Sequence, residues 1–188
     1  MINSPIQNFN GLGRLHTLTK MHLTKCSLVD LPPEIGHLGS LKILFLDNNQ
    51  ITSCAVLSGL INLKSLNMRH NNLTTLDGLQ QLINLDHLDV SDNKLTNVNG
   101  LPHAPRMDIL NLSENQITTC QGFPMCYTQL SRCYLNNNHL TSCNGLEVLY
   151  VINGDCVLDL SYNNLNNASA LAHIRGVERL CLTHNNLT

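Results

Sequence analysis

His70, Asp92 and Glu114 are the residues of this chain whose types and spacing could do chemistry together. They are a histidine and two carboxylates, set at equal intervals along the chain. Imidazole nitrogen and carboxylate oxygen both ligate divalent metals, and a histidine beside a carboxylate is a common acid–base pair. Eight cysteines offer a second chemistry, as disulfides or metal ligands. Neither set comes with the local motif its chemistry needs. There is no CxxC, HExxH or GxSxG, and no glycine-rich loop to cradle phosphate.

The interval itself, roughly 22 residues, is the stronger signal, because such a period predicts stacked repeats. An apolar ladder closing on one polar slot recurs eight times, most clearly as Leu85-x-x-Leu88-x-Val90-x-x-Asn93-x-Leu95. The other slots are Cys26, Asn49, Asn71, Asn115, Asn138, Asn163 and Asn185. Within a copy, Leu88 and Val90 alternate with His87, Asp89 and Ser91, which predicts a strand with the first pair inward and the other three outward. Parallel stacking at about 4.8 Å then lines up same-position residues in columns. The slot asparagine can donate and accept, so it suits a tight turn and predicts a hydrogen-bonded ladder of stacked asparagines.

Between strands, Leu73, Leu76, Leu79, Leu82 and Leu85 are spaced by three. That spacing favours 3₁₀ turns or short irregular helix over a full α-helix. Gly78, Gly100, Gly122 and Gly145 stand at the outer bend, where positive φ or close packing is expected.

This pattern resembles the leucine-rich repeat family over nearly the whole chain. The short form of the repeat with an outer x-Gly-Leu is similar to the subclass holding the type-1 protein phosphatase regulatory subunit, the leucine-rich dynein light chain and internalins. One copy, carrying Leu31-Pro32-Pro33-Glu34-Ile35-Gly36, is slightly longer and resembles the LPxxIGxL form of other intracellular members. The resemblance implies an α/β solenoid, a curved horseshoe with a parallel concave sheet and a 3₁₀ or short-helix convex side. A single domain over residues 1–188 is expected, with an outer half-repeat at 1–17 and a last repeat incomplete at 188. Ile6, Phe9, Leu12, Leu15 and Leu18 carry the opening half-repeat. Both ends therefore read as cut within a repeat, as in a fragment of a longer array or an end covered by a partner chain, which would allow end-to-end contact.

Placing residues on the repeat removes most of the chemistry. In one column, His70 and Glu114 stand nearly 10 Å apart by about 4.8 Å per strand, too far for a compact zinc site. An open sheet neither excludes water nor preorganises charge. No enzyme, no metal and no cofactor is expected. Cys54, Cys120 and Cys143 fall five residues after the slot, where other copies carry Leu76 and Val98. Cys133 takes a strand core position and Cys26 the slot. These are uses of a thiol as a small buried hydrophobe, which predicts reduced cysteines and a cytoplasmic location, with nuclear or cytoskeleton-associated placement as alternatives. The Asn-x-Ser/Thr matches at Asn72, Asn111, Asn167 and Asn186 follow from the repeat consensus. A net charge of −2 gives no field for nucleic acid or an anionic membrane. The opening MINSPIQNFNG lacks the basic region and apolar run of a secretory signal, so a chain without one is expected, and no apolar run approaches the roughly 20 residues of a membrane span.

What remains for function is the outward face of the sheet. Its candidate partner-binding residues are Phe45, Asn67, Arg69, His70, Asp89, Asp92, Asn111, Glu114, Tyr134, Asp159 and Tyr162. An exposed Phe45 is the leading anchor, with Tyr134 and Arg69 as companions. Between Asn138 and Asn163 the interval is stretched beyond that of the usual copy, and residues 150–155 are expected to bulge, with Asp155 at the strand's first apolar position. The resulting expectation is a non-enzymatic protein-interaction scaffold. The resemblance implies a phosphatase catalytic subunit as one partner. Internalin-like surface adhesion and a dynein-light-chain-like cytoskeletal or axonemal module are the alternatives.

Overall fold

Each alternating triplet is a strand in the computed structural model, which describes residues 9–152 and 154–187. The strands are β1 (Lys20–His22), β2 (Ile43–Phe45), β3 (Ser65–Asn67), β4 (His87–Asp89), β5 (Ile109–Asn111), β6 (Arg132–Tyr134), β7 (Cys156–Asp159) and β8 (Val177–Cys181). They form one open parallel sheet in chain order. Register is constant from β1 to β7, and the β7–β8 pair shifts once between Cys156 and Val157; Met21, Leu44, Leu66, Leu88, Leu110, Cys133, Leu158 and Leu180 are successive partners. A one-residue slip would turn every one of these side chains to water, so the apolar pattern itself fixes the register.

From Leu44 to Leu158 this column is 0–1% exposed, whereas Leu180 in β8 is 42% exposed. Burying one such leucine contributes about 1.5–3 kcal/mol, and most of the core repeats that contribution layer by layer. The return segments carry 3₁₀ helices at Leu12–Arg14, Pro33–His37, Ala55–Gly59, Leu146–Val148 and Ser169–His173, and turns in the central repeats. Gly78, Gly100, Gly122 and Gly145 all hold positive φ at the outer bend.

The asparagine ladder differs from expectation in its bonding. Its rungs run from side chain to backbone. Asn93 Nδ2 donates to the carbonyls of Met68 (3.0 Å) and Val90 (3.1 Å), and its Oδ1 accepts from Leu73 N (2.9 Å). Asn71, Asn115, Asn138, Asn163 and Asn185 repeat this arrangement. Each asparagine thus grips the strand and return segment of the repeat before it. The exception has a reason. Cys26 follows β1, which has no preceding strand among the described residues, and a half-buried thiol bonded to Thr24 O at 3.5 Å occupies its slot.

The residue before each slot is left-handed. Lys25, Asn48, His70, Asp92, Glu114, Asn137, Tyr162 and His184 have φ between 54° and 58°. This conformation costs a residue with a Cβ about 1–2 kcal/mol, less for Asn and Asp. It reverses the chain so that the next side chain turns inward to the slot.

Three further expectations are corrected. Cys26 is only half-buried, unlike Cys54, Cys120, Cys133 and Cys143. Asp155 stays exposed, and the adjacent Cys156 is buried instead. Residues 150–152 do not simply bulge: Val151 is buried, Tyr150 forms a parallel bridge with Arg175, and Ile152 N donates to Thr128 O at 2.9 Å. Ile6, Asn153 and Thr188 lie outside the described residues.

Burial also sets the thiol chemistry. It pushes Cys54 and Cys120 up to about 12, and Cys143 and Cys156 up to about 11, with smaller contributions from nearby groups such as Asp77 at Cys54. An unfolded thiol ionises near 9.0. Above that pH the unfolded chain releases protons that the folded chain retains, so stability is full below pH 9 and falls towards pH 12. The gap at Cys54 and Cys120 is worth about 4 kcal/mol each across the whole window. The melting temperature is expected to hold steady from pH 7 to 8.5 and to drop steeply by pH 10.5. At pH 8 an alkylating reagent should label the half-buried Cys26, Cys126 and Cys181 of the native protein first, and all eight thiols after denaturation. Labelling of Cys54 or Cys120 at the rate of Cys26 would contradict this packing.

A candidate partner-binding face

The outward residue ending each strand forms the column His22, Phe45, Asn67, Asp89, Asn111, Tyr134, Asp159 and Cys181. Several of its polar members already have a local task. Asp89 Oδ1 accepts from Ser91 N (2.9 Å) and Ser91 Oγ (2.6 Å). Asn111 does the same with Ser113 and Asp159 with Ser161, while Asn67 Oδ1 accepts from Arg69 N at 2.9 Å. These are side chains bonding the backbone two residues on, which shapes the turn after the strand. Ser91, Ser113 and Ser161 are consequently buried rather than outward. The signal was present as Asp/Asn-x-Ser in three repeats.

The aromatics are less bare than expected. Phe45 is half-buried: His22 stacks on it at 4.4 Å and 20°, and Lys20 Nζ lies 5.7 Å from its ring centroid. Tyr134 is half-buried too. Tyr162, 51% exposed, stacks on His184 at 4.2 Å. A preformed stack holds an aromatic ring rigid, which lowers the entropy lost when a partner covers it.

Five candidates converge. Asn67, Arg69, His70, Asp89 and Asp92, together with Asp47 and Asn48, line a polar depression of about 380 Å³ over β2, β3 and β4. Phe45 borders it as the register partner of Asn67, and Asn111 as that of Asp89. Glu114 follows Asp92 in the left-handed column and is exposed. Tyr134 stands on β6, and Asp159 and Tyr162 on the β7 repeat, about 14 Å beyond β4 by strand spacing. Those three do not join the depression.

Inside it, His70 Nδ1 pairs with Asp92 Oδ2 at 2.5 Å. Asp47 accepts from Thr24 Oγ1 (2.7 Å) and Asn48 Nδ2 (2.9 Å). Arg69 is exposed and its guanidinium forms no ion pair among the described residues, although three carboxylates share its depression. All three ion pairs among the described residues use histidine; the others join His87 to Asp86 (2.7 Å) and Asp108 (3.8 Å). No group of three or more His, Cys, Asp or Glu among the described residues is arranged to hold a metal ion. No helix among the described residues is long and apolar enough to cross a membrane.

Comparison with known proteins agrees with the stacked geometry. Residues 16–73 match the family described as leucine rich repeat, and residues 61–103 match its two-copy form. Together, residues 16–103 match leucine-rich repeat models. No curated protein matches the sequence. Among solved structures, the leucine-rich repeat stack resembles an internalin, InlF, from Listeria monocytogenes (TM-score 0.77, 24% identity), over 94% of this chain and 51% of that one. It resembles TLR13, solved with ssRNA13, at TM-score 0.75 and 26% identity, over 94% of this chain and 26% of that one. A third relative in fold is InlJ of Listeria monocytogenes, whose functional domain includes a cysteine ladder (TM-score 0.65, 24% identity, 99% of this chain and 44% of that one). The chain thus spans about half the length of the internalin InlF and less of the other two. These matches establish a leucine-rich repeat solenoid, whose sheet is the concave side.

Proposed function

We propose that this leucine-rich repeat chain is a non-enzymatic scaffold that docks a folded protein on its concave sheet, centred on the β3–β4 depression. Arg69 is the observation that carries this reading. A guanidinium that shares a depression with Asp47, Asp89 and Asp92, yet is in no ion pair among the described residues, offers five donors for a partner carboxylate. The carboxylates beside it offer acceptors for a partner lysine or arginine, and the Phe45 stack supplies a rigid apolar border. Mixed charge next to an aromatic anchor is the composition of a recognition surface.

The test is affinity capture from the source cell with quantitative mass spectrometry, using wild type, Arg69→Glu and Asp89→Asn. The Asn retains an oxygen for the Ser91 bonds while removing the charge. The partner recovered by wild type should fall at least tenfold with Arg69→Glu and several-fold with Asp89→Asn, at unchanged melting temperature. Equal recovery by all three proteins would remove the depression as the binding site.

Two finer readings rest on different supports. A type-1 phosphatase catalytic subunit as partner, with a cytoplasmic site of action, is supported by the repeat subclass and by the acids and aromatics of this face; capture that recovers no such subunit counts against it. Surface recognition is supported by the similarity to InlF.

A further inference from the structure

Away from that depression, the edge of the sheet where the strands begin carries an unexplained pair of like charges. Lys42 and Lys64 immediately precede β2 and β3, and Lys64 N donates to Lys42 O at 2.8 Å, which makes them side-by-side neighbours on adjacent strands. Both are exposed, and neither forms an ion pair among the described residues. Like charges placed opposite each other on a sheet repel. Asp86 continues the row, but its carboxylate is bonded to His87 rather than to Lys64. Around the lysines, Thr17, Thr19, Ser40, Asn62 and Asn84 complete a groove of about 520 Å³. Asn62 and Asn84 are held in place by donating to Gly39 O and Ile61 O, each at 2.8 Å. Ile61 and Ile83, which directly precede these asparagines, are both 51% exposed and occupy the same place in successive repeats.

We infer that this groove takes the phosphate of a phosphorylated serine or threonine side chain in an extended polypeptide, with an apolar neighbour of that residue lying on Ile61 and Ile83. A phosphate near neutral pH carries close to two negative charges and three acceptor oxygens, which matches two ammonium groups flanked by hydroxyls. The paired isoleucines add a contact that a free anion would not use. An anionic bilayer fits worse: the chain's net charge is −2, and Asp86 and Asp108 lie further along the same edge.

Fluorescence anisotropy with two short synthetic peptides tests this: one with Leu-flanked phosphoserine at its centre, and its unphosphorylated twin. Wild type should bind the phosphopeptide at least tenfold more tightly than the twin. In Lys42→Gln/Lys64→Gln, with its circular-dichroism melt unchanged, that preference should shrink to under twofold, whereas Ile61→Ser/Ile83→Ser should weaken both peptides alike. Equal binding of both peptides by wild type overturns the site. So does a preference that survives loss of both lysines, or binding to phosphatidylinositol-phosphate vesicles without any to the phosphopeptide. Arg69→Glu serves as control, because it alters the proposed concave depression and should leave the phosphopeptide preference intact.

Discussion

Asn115→Ala is expected to lower the melting temperature by about 10–15 °C, a figure set by the buried hydrogen bonds it removes. The side chain is 6% exposed; its Nδ2 donates to Val90 O and Leu112 O, and its Oδ1 accepts from Leu95 N at 3.0 Å. Alanine strands the buried Leu95 N, at about 1–3 kcal/mol, and removes one of two donors from Val90 O and from Leu112 O, which keep Asn93 and Asn138, at about 0.5–1.5 kcal/mol for each lost bond. The total of about 3–5 kcal/mol converts at roughly 2–4 °C per kcal/mol for a chain of this size. Cys26→Ala provides the contrast, since that slot is half-buried and grips no preceding strand, and should stay within about 0.5 kcal/mol. Differential scanning fluorimetry on both variants decides the matter. Similar melts for the two would mean that the rungs contribute far less than their geometry implies.

Gly145→Ala should be comparably severe for a different reason. Gly145 has φ +98°, and an added Cβ would sit 2.1 Å from Cys120 O and 2.3 Å from Cys120 C. Backbone cannot yield as a side-chain tip can. Moving Cys120 O also disturbs the bond it accepts from Phe123 N at 3.0 Å. Conformational strain and overpacking contribute about 1–3 kcal/mol each. Gly39→Ala, with nothing within 4 Å of the added Cβ and no positive φ, should melt within about 1 °C of wild type. Circular-dichroism melts of the pair are sufficient. A Gly145→Ala protein as stable as the Gly39 variant would show that adjacent repeats can slide apart at the convex side at little cost.

The strands, their register and the identity of the core were legible because they depend on two periods, one along each strand and one from strand to strand, both visible in one dimension. The outer glycines were legible for the same reason. The polar surface was not. Whether Ser91 points outward depends on the Asp89 side chain bending back to it, and whether Phe45 is bare depends on His22 and Lys20 in the previous repeat. Such contacts are set by rotamers and by pairing between neighbouring repeats, which a repeat consensus averages away. Reading columns put all of the candidate residues on one face; it is the depression that gathers Asn67, Arg69, His70, Asp89 and Asp92, while Tyr134, Asp159 and Tyr162 stand apart from it.

The asparagine rungs all point one way along the chain. Leu95 N is satisfied by Asn115, and Leu73 N by Asn93, so a repeat is fastened by a residue that belongs to its successor. During synthesis the successor's asparagine leaves the ribosome one repeat later. At roughly 5–20 residues per second, that is a delay of about one to four seconds. For that interval the turn of a newly emerged repeat lacks the side chain that bonds it in the complete stack. In a chain folding as it is made, each repeat would be latched one repeat late.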